Sequence, residues 1–360
     1  MAYRIVVSGY YGFGNLGDEA VLAGIVETFR RLGVPAHFTV LSGSPAITVA
    51  QHPSVSAVNR FSIVEVFRAI RNSDLVISGG GSLLQDVTSA ISPYYYLSVL
   101  RLARMLRRKT MIYAQGVGPL LRGSTRRAVA RTFNRTDAIT VRDPDSKALL
   151  ESIGVCRPIV LSADPSFLVI PDVHTADRIL IEQGPNTKDI LGVSLRPWVR
   201  VEEWLPAVAE GVRLAARKLN LTCVSIPLHP AKDAYLLQDY PDFREVTVES
   251  PQVAKGLIAR CKIIVGMRLH SLMFSASTGV PFVPIDYDPK VRSFAQMSGI
   301  DFALSVKELS SDLVRQAIFS TWSARGRLSA DLARKAGEQA ELALESGRLA
   351  TRLLVGEGVP

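Results

Sequence analysis

Three features of the sequence predict an α/β fold of two Rossmann-like domains followed by C-terminal helices. At 360 residues the chain is longer than one hydrophobic core ordinarily serves. Short runs rich in Val and Ile alternate with longer helical patterns, the signature of βαβ units and parallel sheets. Nearly every such run ends in glycine or in a functional polar group, and open parallel sheets bind their ligands at those ends.

In chain order, the first half predicts strands near 3–9, 36–42, 74–78, 110–114, 137–141 and 158–162. Between the first two lies a helix with an apolar stripe of Val21, Leu22, Ile25, Phe29 and Leu32. Asp18 is its expected cap and Gly33 its end. The polar segment 171–189, with Pro171, Gly184 and Pro185, reads as a linker. Alternation then resumes with strands at 190–195, 222–226, 262–266 and 281–285, and a helix near 201–219. Helices near 307–322 and 328–352 close the chain. The expected division is residues 1–172, 173–310 and a helical tail, 311–360.

Composition narrows the function classes. Hydrophobic residues make up 48 % of the chain and charged residues 21 %, which excludes a disordered protein. Cys156, Cys223 and Cys261 are odd in number and far apart, so they build neither a disulfide framework nor a zinc spacing, and a reducing cytoplasm fits. The N-terminal apolar run is too short for a signal peptide, and no run approaches the roughly 20 residues of a membrane span. No HExxH, GxSxG, Walker lysine or CxxC pattern occurs, which leaves metalloprotease, serine hydrolase and P-loop chemistry without support.

Among the strand-end motifs, Gly12-x-Gly14-x-x-Gly17 stands between a strand and a helix, as in dinucleotide-binding sites. The ribose-binding acid expected at the end of the second strand is absent, since that strand ends Leu41-Ser42-Gly43-Ser44. Two readings stay open: a turn that admits an anion or sugar to the helix N-terminus, or a turn that only packs helix on strand. Gly79-Gly80-Gly81-Ser82 offers closely spaced amides, and Asp86, expected on a following helix, is a candidate hydroxyl acceptor. Met267-Arg268-Leu269-His270 is the sharpest local feature. A buried strand delivers a bidentate anion binder and a group that titrates near neutrality to its own C-terminal end. Arg142 and Lys290 add charge from other strand ends. His229, between two prolines, is a secondary candidate, and Asp164 is either a cap or a catalytic group.

The segments GYYGFGNLGDEAVL, GGGSLLQD, AQGVGP, VRDPDS, ADPSF and GMRLHSLMFSASTGVPFVPIDYDPKV resemble the polysaccharide pyruvyl transferase family, in particular its bacterial cell-wall, CsaB-like branch. The resemblance runs from residue 4 to about 300. It implies a GT-B-like fold, two Rossmann-like domains facing a central cleft, the first on the acceptor side and the second on the phosphoenolpyruvate side. It also implies transfer of pyruvate from phosphoenolpyruvate onto a sugar as a ketal, with release of phosphate. In the cell-wall branch the acceptor is N-acetylmannosamine on a lipid-diphosphate-linked precursor of a secondary cell-wall polymer, on which surface-layer anchoring depends. The family's donor-binding positions fall on Arg142, Arg268, Leu269, His270 and Lys290. By residue chemistry His270 is the expected general acid, with Arg268 and Lys290 as the other catalytic candidates. Acceptor candidates are Gly14, Asn15, Asp18, Gly80, Gly81, Asp86, Gln115 and Asp164. The scheme asks for no metal or cofactor, since phosphoenolpyruvate is itself the donor. A nucleotide-sugar glycosyltransferase of the same architecture and a non-catalytic sugar-binding protein are the competing readings. Aromatic residues are only 7 % of the chain, with Tyr94-Tyr95-Tyr96 the one tight cluster.

The net charge of +9 is concentrated. From Val87 through Thr136 there is no Asp or Glu, but the stretch from Arg101 to Arg135 holds ten Lys and Arg, leaving 32 basic against 33 acidic residues elsewhere. Arg127, Arg131 and Arg135 repeat every four residues and share a helical stripe. With no nucleic-acid motif beside it, this excess predicts peripheral contact with an anionic inner membrane leaflet. An oligomer contact through the tail is left open.

Overall fold

The computed structural model describes residues 2–87, 89–183 and 189–358. The chain divides into two compact α/β units, Met1–Leu168 with Gln339–Pro360, and Val169–Glu338.

The first unit runs β1 (Tyr3–Tyr11), α1 (Leu16–Arg31), β2 (Ala36–Ser42), α2 (Pro45–Gln51), β3 (Ser56–Asn59), α3 (Ile63–Arg71), β4 (Leu75–Ser78), β5 (Gly81–Leu84), α4 (Ser92–Met105), β6 (Lys109–Val117), α5 (Gly123–Phe133), β7 (Ala138–Val141), α6 (Pro144–Ser152) and β8 (Ile159–Leu161). Its strands lie parallel in the order β3-β2-β1-β4-β6-β7-β8, and β5 pairs with the end of β6. The strand period of two sorts side chains onto opposite faces. Ile5, Val7, Val40, Ile77 and Met111 pack under α1 and a later C-terminal helix. Val6, Leu41 and Val76 pack under α3 and α4, while Ile112 and Ile139 pack under α4 and α5.

The second unit runs α7 (Val173–Glu182), β9 (Ile190–Ser194), α8 (Val201–Leu219), β10 (Thr222–Ser225), α9 (Pro230–Asp233), β11 (Phe243–Glu245), α10 (Pro251–Ala259), β12 (Ile263–Gly266), α11 (Leu269–Ser277), β13 (Phe282–Asp286), α12 (Pro289–Met297), β14 (Leu304–Ser305) and α13 (Ser311–Ser323). The parallel order is β11-β10-β9-β12-β13-β14, so β9 is the strand from which successive connections leave in opposite directions. The last helix, α14 (Arg325–Val355), begins in the second unit and ends in the first, where Leu349, Ala350, Leu353 and Leu354 join the core over β1 and β4.

Four expectations are corrected. The segment 171–189 is not a plain linker: Asp172 caps α7 by accepting from the Thr175 amide, and Ala176 and Leu180 bury against the second unit. Residues 184–188 of that segment lie outside the described residues. The tail 311–360 is not a domain. α13 packs on α8 through Val314 and Ile318, and α14 serves both units, so the boundary falls at 168/169 rather than 172/173. The first helix is capped by Asn15, whose side chain accepts from the Gly17 amide, while Asp18 lies in the first turn. After Gly79-Gly80 comes the strand β5 rather than a helix, which puts Asp86 in a loop.

Candidate active site

In the first unit the polar strand ends gather around β1, β4 and β6. Gly12 and Gly14 both have left-handed φ values, +76° and +73°, which a side chain would strain. The Gly12 amide donates to Glu19 at 2.7 Å, and buried Glu19 also meets His52 Nε2 at 3.0 Å. Packing explains much of the glycine pattern. A Cβ on Gly12 would strike Ser42 Oγ, one on Gly79 the Tyr11 hydroxyl, and one on Gly80 the Val21 side chain. Gly81 differs, because a Cβ there would meet the Asp18 carboxylate at 2.8 Å. Asp18 also accepts from Asn15 Nδ2, so Asn15, Asp18 and Gly81 form one polar corner.

Gln115 donates to the Gly81 carbonyl at 3.1 Å, and its buried Oε1 has no hydrogen-bond partner among the described residues. Arg142 is buried at the end of β7, where it pairs with Asp164 at 2.6 Å and donates to Ser82 at 3.0 Å. Asp86 accepts backbone amides of Leu121 and Arg122 at 2.6 and 2.9 Å. Burial alone would raise its pKa, but those donations outweigh burial and hold the carboxyl below its ordinary value. Its oxygens thus anchor the loop after β6. Beside the glycine turn, Tyr10 stacks on Phe13 at 4.4 Å, and the Arg60 guanidinium lies 4.0 Å from the Tyr95 ring centroid.

The second unit holds the sharper constellation. β12 ends at Gly266, and Arg268 stands at the N-cap of α11, with Leu269 and His270 in its first turn. The Arg268 guanidinium is gripped by buried Asp233 through two 2.5 Å bonds, from Nε and Nη2. Those bonds occupy Nε and Nη2, and Nη1 takes no part in them. Asp233 closes α9, the short helix after β10, and also accepts the His229 amide at 2.8 Å, so the segments that follow β10 and β12 meet across the end of β9. The His229 ring is buried, and neither of its nitrogens has a hydrogen-bond partner among the described residues. Burial pushes its pKa below the ordinary value, and the Arg268 charge lowers it further; both favour the neutral imidazole.

Lys290 opens α12 after β13, with its Nζ 3.2 Å from Asp288, the residue that caps that helix. At the end of β9, Arg196 donates to the Tyr287 hydroxyl at 2.9 Å and lies 4.6 Å from that ring, which meets Trp198 at 4.8 Å. Arg268, Leu269, His270 and Lys290 therefore share one unit. Arg142 belongs to the other, with Asp164 as its partner. Sequence reasoning did not find Asp233. Its one signal is position, four residues after His229 at a strand end.

Residues 15–289 match the family model described as polysaccharide pyruvyl transferase. The chain belongs to this family. The matched range takes in Arg142, Arg268, Leu269 and His270, and Lys290 lies one residue past its end. A curated relative, the amylovoran biosynthesis protein AmsJ of Erwinia amylovora, is 22 % identical over 378 residues, covering 86 % of this chain and 88 % of that protein. Membership makes the chain a transferase of pyruvyl groups in polysaccharide biosynthesis.

Solved structures similar in fold include two UDP-N-acetylglucosamine 2-epimerases. That of Methanocaldococcus jannaschii has TM-score 0.68 and 11 % identity, covering 98 % of this chain and 99 % of that one. That of Rickettsia bellii has TM-score 0.63 and 12 % identity, covering 99 % and 96 %. The glycotransferase of kitacinnamycin follows at TM-score 0.56 and 14 % identity, covering 98 % and 100 %. These likenesses establish the GT-B-like class of the fold.

Proposed function

We propose that the chain transfers pyruvate from phosphoenolpyruvate to a sugar, forming a ketal and releasing phosphate. The second unit binds the donor, and the observation that carries this reading is the Arg268–Asp233 pair at the start of α11. Asp233 fixes the guanidinium, whose Nη1 then serves an anion beside the first amides of α11, where intrahelical acceptors are lacking and the helix dipole favours negative charge. Phosphoenolpyruvate offers two anionic groups, a carboxylate and a phosphate, suited to Arg268 and to Lys290. Arg142, which the family resemblance adds to the donor-binding positions, lies in the first unit, paired with Asp164.

His270, in its protonated form, delivers a proton to the enol carbon C3, and the cation left at C2 is captured by a sugar hydroxyl. The bond from C2 to the phosphate oxygen then breaks, and a second hydroxyl closes the ketal. The two hydroxyls give up two protons, one ending on C3 and one on the phosphate, so His270 is restored. No step asks for a metal or a redox cofactor. The acceptor falls to the first unit, where Tyr10 and Phe13 offer an aromatic platform beside Gly14, Asn15, Asp18 and Gly81. We assign N-acetylmannosamine of a lipid-diphosphate-linked cell-wall precursor as the acceptor, as in the cell-wall branch, with catalysis on the cytoplasmic side.

The test is phosphate release from phosphoenolpyruvate with and without an aryl-tagged N-acetylmannosamine acceptor. Acceptor-dependent release is expected, and release that ignores the acceptor overturns the reading. One observation favours a nucleotide-sugar donor instead: the Trp198–Tyr287 pair, 4.8 Å apart, presents aromatic surface to a base. Release of a nucleoside diphosphate from a nucleotide sugar, with phosphoenolpyruvate inert, would decide for that alternative.

A further inference from the structure

The exposed side of α3, α4 and α5 combines two features that a surface helix in water has no use for. The first is apolar. Ser62 caps α3, and around that cap Phe61, Ile63 and Val64 are 70, 83 and 65 % exposed, while Val66 and Ile70, further along the helix, fill the core. Met105, at the end of α4, is 80 % exposed. Isolated exposed apolar residues are ordinary, but three within four positions, backed by a firmly buried stripe, form a patch.

The second feature is charge. α4 packs against both α3 and α5, and its outer positions carry Arg101 and Arg104, while α5 and its end carry Arg127, Arg131 and Arg135, all exposed. The acidic residues that might neutralise them are missing from the whole stretch between Val87 and Thr136. The acidic residue of α3, Glu65, is occupied by the Asn59 amide at 2.9 Å. The ion pairs Arg4–Asp74 and Arg30–Glu27 involve other elements.

We infer that this face of the first unit docks on an anionic lipid bilayer, with the start of α3 entering the headgroup region and the α4–α5 arginines lying over the lipid phosphates. A wide basic field fits a lipid surface, and the apolar tip supplies what charge alone does not, burial at the boundary of the acyl chains. The inference goes beyond the reaction assigned above and does not rest on it, since none of these side chains belongs to either candidate site.

The experiment is vesicle flotation of the full chain. It compares phosphatidylcholine alone with vesicles in which about a third of the lipid is phosphatidylglycerol. Binding should follow the anionic lipid and weaken with salt. The triple variant Arg127→Gln, Arg131→Gln and Arg135→Gln should lose about a hundredfold in partitioning, roughly fivefold per charge. The double variant Ile63→Ser and Val64→Ser should lose about tenfold or more and leave the remaining binding fully salt-sensitive. Far-UV circular dichroism checks that both variants fold. Phosphate release on a water-soluble acceptor keeps the chemistry separate, so loss of one does not mimic loss of the other. Equal recovery on the two vesicle types overturns the inference. So does binding to heparin or RNA with none to vesicles, or a dimer that the Ile63 and Val64 substitutions disrupt in the absence of lipid binding.

Discussion

At the scale of single residues, the second unit's site depends on how one carboxylate is used. Asp233 holds two of the three Arg268 guanidinium nitrogens and the His229 amide at once. It does not touch the reacting atoms in the scheme proposed here; it is a positioning residue. Asp233→Asn removes the charge that fixes the guanidinium, and charge-assisted bonds of this kind are each worth about 1.5–3 kcal/mol. The expected result is a KM for phosphoenolpyruvate raised about tenfold or more, with kcat changed far less. His270→Ala should show the opposite split, losing about 10²–10⁴ in kcat, the range for a positioned acid. Unchanged turnover in a folded His270→Ala protein would remove His270 from the chemistry. Arg268 and His270 were legible as candidates because a strand end followed by Arg-x-His is a local pattern, and Lys290 because it follows the next strand end. Asp233 was not, because its partner is 35 positions away and only the sheet order makes them neighbours.

His229 gives a prediction with a definite sign. Its folded pKa lies below its ordinary value through burial and then through the Arg268 charge. The unfolded chain therefore takes up a proton more readily than the folded one as the pH drops. The stability associated with the neutral ring is complete above about pH 6.5 and is lost as the pH falls below it. Thermal unfolding followed across that range should show a decline that His229→Phe flattens, since Phe fills the space and cannot titrate. A decline of equal slope in the variant would assign it to other groups.

At the scale of elements, the loop after β6 shows how a buried carboxylate can be structural even where the sequence suggests a ligand. Asp86 ties the loop through the Leu121 and Arg122 amides, so Asp86→Ala strands two donors. The expected cost is about 1–3 kcal/mol in denaturant unfolding, with little change in KM for either substrate. Since hydrogen bonding holds its pKa down, wild-type stability from this group is present above about pH 3.9 and disappears below it. The elements themselves were read from the sequence unevenly, for physical reasons. β1, β9 and β12 are continuous apolar runs because both faces of a parallel sheet are covered. β3, β11 and β14 were missed, being strands of two to four residues at sheet edges, and β5 was missed because its four residues follow Gly79-Gly80 and read as part of a turn. α7 was hidden by the prolines and glycine flanking it, although Asp172 followed by Thr175 already offered a cap.

At the scale of the whole molecule, α14 is the element that ordinary domain counting misplaces, because a long helix at the end of the chain looks detachable. Its last turns cover the sheet of the first unit. Buried Ser346 links Thr140 and Ser162 through 2.8 Å hydroxyl contacts. Gly347 lies so close to α1 that a Cβ would stand 2.2 Å from Thr28 Cγ2 and 2.9 Å from Leu32 Cδ1. Thr28 cannot yield easily, because it is buried and its hydroxyl bonds the Gly24 carbonyl. Gly347→Val therefore overpacks this contact, a defect that typically costs about 1–3 kcal/mol. The spectroscopy can localise that cost. Trp198, Trp204 and Trp322 all belong to the second unit, whereas helix and sheet signals come from both. The second unit has its own core, built around β9, β12, β13 and α8. In the Gly347→Val protein, part of the far-UV circular dichroism transition should thus move to lower temperature while the tryptophan fluorescence transition stays in place. A circular dichroism transition identical to that of the wild type would mean that α14 packs on α1 with room to spare. Equal movement of both signals would mean that the two units unfold as one through the helix they share.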